Sequence, residues 1–287
     1  MKKSISVVFC TLLLSFSYVI AQTPLEKNIK QILTDPQRGQ SYLLGYIQPL
    51  TTVFGTVMGS GLFHRASVKS FPHFDIGLTY PYLYLPGKSK TFVYQEQTRE
   101  TAFGKEKVSP GEIPGTGLSA LALPLLQINL GLTEDFELML RSSLVYTISE
   151  LGEIRLSGVG IKYGLSDLVN SVSFPIDLSV QASYHLLSMN GWFKTGTFAM
   201  NIQTSKEIPS LLLEFYTALG YEVTSTTMLS DKIPGIGEQG IGDVKQNGQN
   251  GLRLMLGANL HLLFVTLQAG FEFGYYNVLS LGAKITY

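Results

Sequence analysis

The 287-residue chain is 45% hydrophobic and only 15% charged, and its 21 basic residues balance 21 acidic ones, so the cationic footprint of a nucleic-acid binder is missing. Its single cysteine, Cys10, falls inside the first apolar run, which excludes a scaffold stapled by disulfides. No stretch beyond residue 21 has the ~18 apolar residues of a membrane-spanning helix, which leaves an exported soluble β protein or a membrane β-barrel.

Residues 1–21, MKKSISVVFCTLLLSFSYVIA, have a basic start at Lys2 and Lys3, an apolar middle and small-residue spacing at Val19-x-Ala21. This is the pattern of a secretory signal peptide, shorter than a membrane anchor. Residues 22–62 do not alternate. A short amphipathic helix is expected over 25–33, ended before Pro36. The apolar run 42–58 is interrupted by Pro49 and Gly55, and GSGLFH (59–64) reads as a flexible approach to the first strand. The apolar side chains Tyr42, Leu43, Leu44, Tyr46, Ile47 and Phe54 need a place to be buried. The segment is either a plug within the lumen of a barrel or an extension packed beneath it.

From residue 63 the chain reads as one β-barrel. Ten segments alternate apolar and polar residues with period two, the signature of strands: 74–84, 126–132, 136–146, 154–165, 175–186, 193–204, 211–224, 251–261, 263–275 and 279–287. The alternation in 154–165 slips near Gly158, which suggests a bulge. Residues 91–97 are assigned to a hairpin within a loop, which keeps the strand number even within a range of 8–12. The long connections, 86–117 and 227–250, follow odd strands, whereas the connections at 133–135, 207–210 and 261–262 follow even ones. Short inner turns and long outer loops are the rule for outer-membrane barrels.

A soluble lipocalin-like barrel would place the apolar face inward. Strand length, a polar face rich in Gly, Ser, Thr, Asn and Gln, and aromatic residues at strand ends favour apolar side chains outward, against lipid. Phe74 and Tyr84 are ten residues apart on one strand, as are Phe136 and Tyr146. At ~3.3 Å per residue and a tilt of roughly 40° that spacing spans about 25 Å, the height between aromatic girdles. Tyr163, Tyr184, Trp192, Tyr275 and Tyr287 are the further girdle candidates.

The polar face then lines a lumen, with Asp75, Glu137, Arg141, Lys162, Asp177, His185, Glu214, Glu222, Arg253, Glu272 and Lys284 as its ionisable residues. These either pair across a filled barrel or form a path for a small solute. No GxSxG or HExxH motif is present, and Asp177 and His185 stand about 26 Å apart along one strand, so no catalytic dyad, metal site or cofactor is expected.

The phrases GSGLFHRA (59–66), FPHFDIGLTYPYLYLPG (71–87), GLTEDFEL (131–138) and YGLSD (163–167) resemble an uncharacterised family of barrels from the outer membrane of Gram-negative bacteria. That family is similar in design to the long-chain fatty-acid transporter porins, although the Asn-Pro-Ala-type opening of those porins is absent here. The resemblance implies an outer-membrane location and the passage or binding of small apolar solutes. The alternative is a closed structural barrel whose outer loops bind an external partner; a membrane-embedded hydrolase is a remoter reading. The expected partners are outer-membrane lipid, a small apolar solute and, through a last strand that ends on Tyr287, the barrel-assembly machinery.

Overall fold

The computed structural model describes residues 29, 32, 39–62, 65–85, 91–93, 97–101, 104–108, 112–114, 120–143, 146–148, 152–166, 176–233 and 242–287. The signal-peptide expectation, most of the expected helix at 25–33 and the side chains of Tyr42 and Tyr146 lie outside the described residues.

Ten strands form the wall: β1 (Phe74–Tyr84), β2 (Leu125–Gly131), β3 (Phe136–Ser143), β4 (Gly152–Gly164), β5 (Asp177–Met189), β6 (Phe193–Ile208), β7 (Leu213–Leu229), β8 (Leu252–Leu262), β9 (Val265–Phe273) and β10 (Val278–Thr286). Each pairs antiparallel with the next, and β10 pairs with β1 from Thr286 opposite Asp75 to Val278 opposite Leu83. The sheet is therefore a closed antiparallel barrel of ten strands. Closure satisfies the backbone groups at the seam, as hydrocarbon requires.

Both ends of the wall, Phe74 and Tyr287, lie at the end that carries the short turns, which is the periplasmic end. One inner turn, at 133–135, is fixed by the Thr133 hydroxyl, which accepts the backbone N–H groups of Asp135 and Phe136 at 3.3 and 3.1 Å. At the outer end, Asn190 and Gly191 (φ 51° and 75°) turn β5 into β6, a conformation that Asn and Gly adopt readily. The first long connection carries two small ladders, Thr91–Val93 with Glu112–Pro114 and Gln97–Thr101 with Gly104–Val108, so Thr91–Val93 and Gln97 stay out of the wall. In the second, Asp243–Asn247 pairs with the outer end of β7 and makes the wall taller there.

The large apolar side chains of the wall, among them Leu140, Ile161, Leu186, Met200, Leu219, Leu254 and Leu281, point outward and are exposed. Such a belt on a closed sheet is stable against hydrocarbon, and the chain is an outer-membrane barrel. An inner aromatic girdle pairs Phe74 with Tyr287 (5.4 Å between centroids) and Phe136 with Tyr163 (4.7 Å). Tyr84, Tyr184 and Tyr275 are exposed on the outward face nearer the outer end.

Three expectations need correction. Pairing of β4 with β5 runs without a break from Ile154 opposite Met189 to Gly164 opposite Ser179, so there is no bulge at Gly158. The apparent slip arises because Ile154 and Leu156 face inward: the outer half of the lumen is itself apolar. Trp192 is 1% exposed and stands edge-on to Phe193 inside that apolar core, not in a girdle. The stretch 59–62 is not a loose approach, because Ser60, Gly61 and Leu62 are buried and the Gly61 N–H donates to Glu272 Oε1 at 2.8 Å.

Inside the wall runs helix α1 (Gly39–Gly59). It passes through Pro49, whose ring faces the carbonyl of Gly45, a residue without a side chain to crowd it. The run at 42–58 is thus continuous helix rather than a broken segment. Its first turns lie toward the outer mouth, and its C-terminal end lies at mid-lumen among Arg141 and Arg253. Residues 60–62 and 65–70 lie between the end of α1 and the periplasmic end, ahead of β1.

Candidate functional site

The occupied lumen is the candidate site, and it has three levels. In the outer level Leu43, Ile47, Leu50, Phe54 and Val57 of α1 pack against inward side chains of the wall, including Leu83, Leu156, Leu187, Met228 and Val278. Phe54 meets Phe193 edge-to-face at 5.8 Å. This contact buries the apolar plug residues that the sequence identified: Leu43, Tyr46, Ile47 and Phe54 are at most 2% exposed, and Leu44 packs at their margin.

At mid-lumen two arginines close the C-terminal end of α1. Arg141 donates to the carbonyls of Met58 (2.8 Å) and Ser60 (2.5 Å). Arg253 donates to the carbonyl of Gly59 (2.8 Å) and to the Ser60 hydroxyl (2.8 Å). The last carbonyls of a helix lack intrahelical partners and carry its negative pole, so two guanidiniums satisfy them and oppose that charge. Arg253 is balanced by Glu222 and Glu272, each 3.1 Å from its Nη1. From the outer loop, Asn250 Nδ2 donates to the Thr52 carbonyl, Thr56 Oγ1 and Glu222 Oε1 at 3.1, 2.8 and 2.7 Å, stitching helix to wall.

The inner level is ionic. Arg65 reaches Asp75 and Glu137, both at 3.3 Å; Lys162 reaches Glu137 and Lys284 reaches Asp75, both at 2.8 Å. Lys162 also donates to the Arg65 carbonyl at 3.1 Å, so this irregular segment is held by its backbone as well as by its charge. Beside it, Tyr216 lies against Gly257 and Gly270, where any side chain would collide with its ring. At the inner mouth, burial and the cations Lys69 and Arg65 hold the His73 imidazole below its ordinary pKa.

Every ionisable residue expected in the lumen points inward. Asp75, Glu137, Arg141, Lys162, His185, Glu214, Glu222, Arg253, Glu272 and Lys284 are no more than 4% exposed; Asp177 is half-buried near the inner mouth. The structure gathers them into a mid-lumen and an inner cluster, and Glu214 stands apart with Asn259 (2.9 Å) and His261 (3.3 Å). Sequence reasoning missed Arg65, which ties the inner cluster together. Its signal was available: it is the one basic residue between Gly39 and Lys69, and it sits next to an apolar run.

His185 is fully buried at mid-lumen, its ring lies against Gly158, and neither ring nitrogen has a hydrogen-bond partner among the described residues. An unpaired buried polar group is costly, so His185→Phe should leave stability unchanged or raise it by about 1 kcal/mol. Denaturant unfolding of the barrel in micelles would measure this; a loss of about 1 kcal/mol or more would mean that the imidazole has a partner in solution.

A model of a family of unknown function, DUF6588, matches residues 1–287. No curated protein matches the chain. Among solved structures it is similar to the Neisserial surface protein A, with 10% identity, a TM-score of 0.29 and cover of 75% of this chain and 97% of that one. It is also similar to the outer membrane protein OprG from Pseudomonas aeruginosa (9%, 0.32, 78% and 99%) and to Ail, the attachment invasion locus protein of Yersinia pestis (11%, 0.27, 75% and 98%).

Proposed function

Because the chain belongs to the DUF6588 family of unknown function, matched over its full span, we propose its role from its own geometry: an outer-membrane barrel held shut by residues 39–62 and 65–70, working through its outer face. The observation that carries this reading is the occupied lumen, whose ten inward ionisable side chains are no more than 4% exposed. The surface left for function is the outer mouth, formed by the two long connections and the tall β6–β7 wall, and its partner is external. The reading assigns the barrel no catalytic step.

A second reading is favoured by the apolar lining of the outer level. If α1 withdrew, the wall around Leu83, Leu156, Leu187 and Met228 would offer small apolar solutes a chamber open to the outside, and passage would be gated by the helix. Liposomes that contain the full chain separate the two. The sealed reading expects neither a small polar solute nor an apolar dye to cross faster than through protein-free liposomes. A chain lacking residues 39–62, if it folds, should leak the polar solute. Accelerated passage of the apolar dye alone through the full chain would replace the sealed reading with the gated one, and leakage of both would overturn both.

A further inference from the structure

The outward face is not uniform around the barrel. Cross-strand pairing places Arg155 of β4 opposite Ser188 of β5, Ser188 opposite Lys194 of β6, Lys194 opposite Thr227 of β7, and Thr227 opposite Lys245 of the added strand. These five residues form one row in which cations alternate with hydroxyls. All five point away from the lumen, because the residues between them face inward. Lys194 and Lys245 flank Thr227 on adjacent strands, and so lie about 10 Å apart along the sheet.

The row has a definite height. Two residues toward the membrane centre lie Ser157, Leu186, Gly196, Ser225 and Asn247, and two further are Val159, Tyr184, Phe198 and Val223, where the apolar belt begins. Four residues of tilted strand span about 10 Å, so the cations stand just outside the hydrocarbon, at the level of the headgroup phosphates. Across the barrel the outer ends of the wall present Leu252, Phe273, Tyr275, Leu279, Tyr82 and Tyr84, with no cation among the described residues. Below the row a groove runs on the lipid face between Tyr184, Leu186, Phe198, Val223 and Ser225, and the Tyr184 hydroxyl reaches over Gly196. The acids near the row lie farther out: Glu153, which pairs with Arg155, and Asp243.

We propose that this face of β4–β7 and residues 243–247 binds a phosphorylated glycolipid of the outer leaflet, with a phosphate between Lys194 and Lys245 and an acyl chain in the groove between Leu186, Phe198 and Val223. Charge and shape complement one occupant here. The ammonium groups and the Thr227 hydroxyl supply donors to phosphate oxygens, and the groove below is walled largely by apolar side chains. The cation row meets the lipid boundary, whereas the acids stand toward solvent. An anionic lipid is therefore favoured over a soluble anion, which would have no use for the groove.

The test uses the full chain, folded in detergent and offered bis-phosphorylated lipid A or its dephosphorylated form. Retention is read by native mass spectrometry and by the temperature at which the folded band is lost on a gel. Wild type should retain the phosphorylated lipid at least about tenfold better than the dephosphorylated one. Lys194→Gln with Lys245→Gln should lose about tenfold, and so should Ser225→Phe, which fills the groove and keeps both charges. Lys206→Gln, at the inner end of β6, should change nothing. Equal retention of the two lipids, or an unaffected double variant, would overturn the proposal. Displacement by inorganic phosphate at an equal concentration would reduce the site to a simple anion site and overturn the lipid assignment. These readouts do not depend on whether the lumen is sealed.

Discussion

Replacing Arg253 by methionine should cost the barrel about 3–5 kcal/mol of stability, the usual penalty for removing one partner of a buried ion cluster. Arg253 is 4% exposed and lies 3.1 Å from both Glu222 and Glu272, and it donates to Gly59 O and to Ser60 Oγ. Its loss leaves two carboxylates buried at mid-lumen beside the negative pole of α1, with Arg141 as the remaining nearby cation. Denaturant unfolding in micelles measures the cost. Adding Glu222→Gln and Glu272→Gln should recover more than half of it, since buried neutral groups are far cheaper than unpaired charges. If the triple variant is no more stable than Arg253→Met alone, the packing of the arginine stem, rather than its charge, fastens the helix.

The second large effect is expected at Gly55. A β-carbon there would overlap Thr224 of β7, whose hydroxyl is hydrogen-bonded to Thr197 of β6 at 2.9 Å. Gly55→Ala sets a gain of about 1 kcal/mol in helix propensity against overpacking that costs about 1–3 kcal/mol. Gly55→Leu has no such balance. It should drive α1 off the wall, lower the unfolding midpoint and turn a sealed barrel into one that leaks small polar solutes from liposomes. Thr224→Ala in the same chain should restore part of the seal to Gly55→Ala but little to Gly55→Leu. A tight, stable Gly55→Leu barrel would mean that the helix packs elsewhere than against β7.

The wall was legible in the sequence because its solvent is uniform. Lipid on one side demands an apolar residue at every second position, and Phe136, Leu138 and Leu140 or Leu279 and Leu281 report that demand without reference to any neighbour. The interior was less legible because its environment changes with depth. Ile154, Leu156, Leu187 and Met189 face inward although they are apolar, since α1 is their solvent; period-two reasoning took that change of environment for a slip in register. Trp192 misled for a related reason: a large aromatic at a strand end suits an interface and the top of an apolar core equally. The ionisable lumen residues were found from alternation alone, but their grouping was not, because Arg65, Asp75, Glu137, Lys162 and Lys284 are brought together by the curvature of the wall and by an irregular segment that belongs to no sheet.

One consequence concerns time rather than space. Helix α1 lies within a ring whose seam joins β1 to β10, residues about 200 positions apart, and a ring once sealed offers no side door to a helix about 10 Å wide. A helix that lies in the lumen before the seam pairs avoids end-on entry through a mouth. Residues 39–62 would then be the form around which the sheet is wrapped, and the pairing of Asp75 with Thr286 through Leu83 with Val278 is the clasp. Whatever weakens the grip of Arg141 and Arg253 on the helix acts on the order of assembly as well as on the finished molecule.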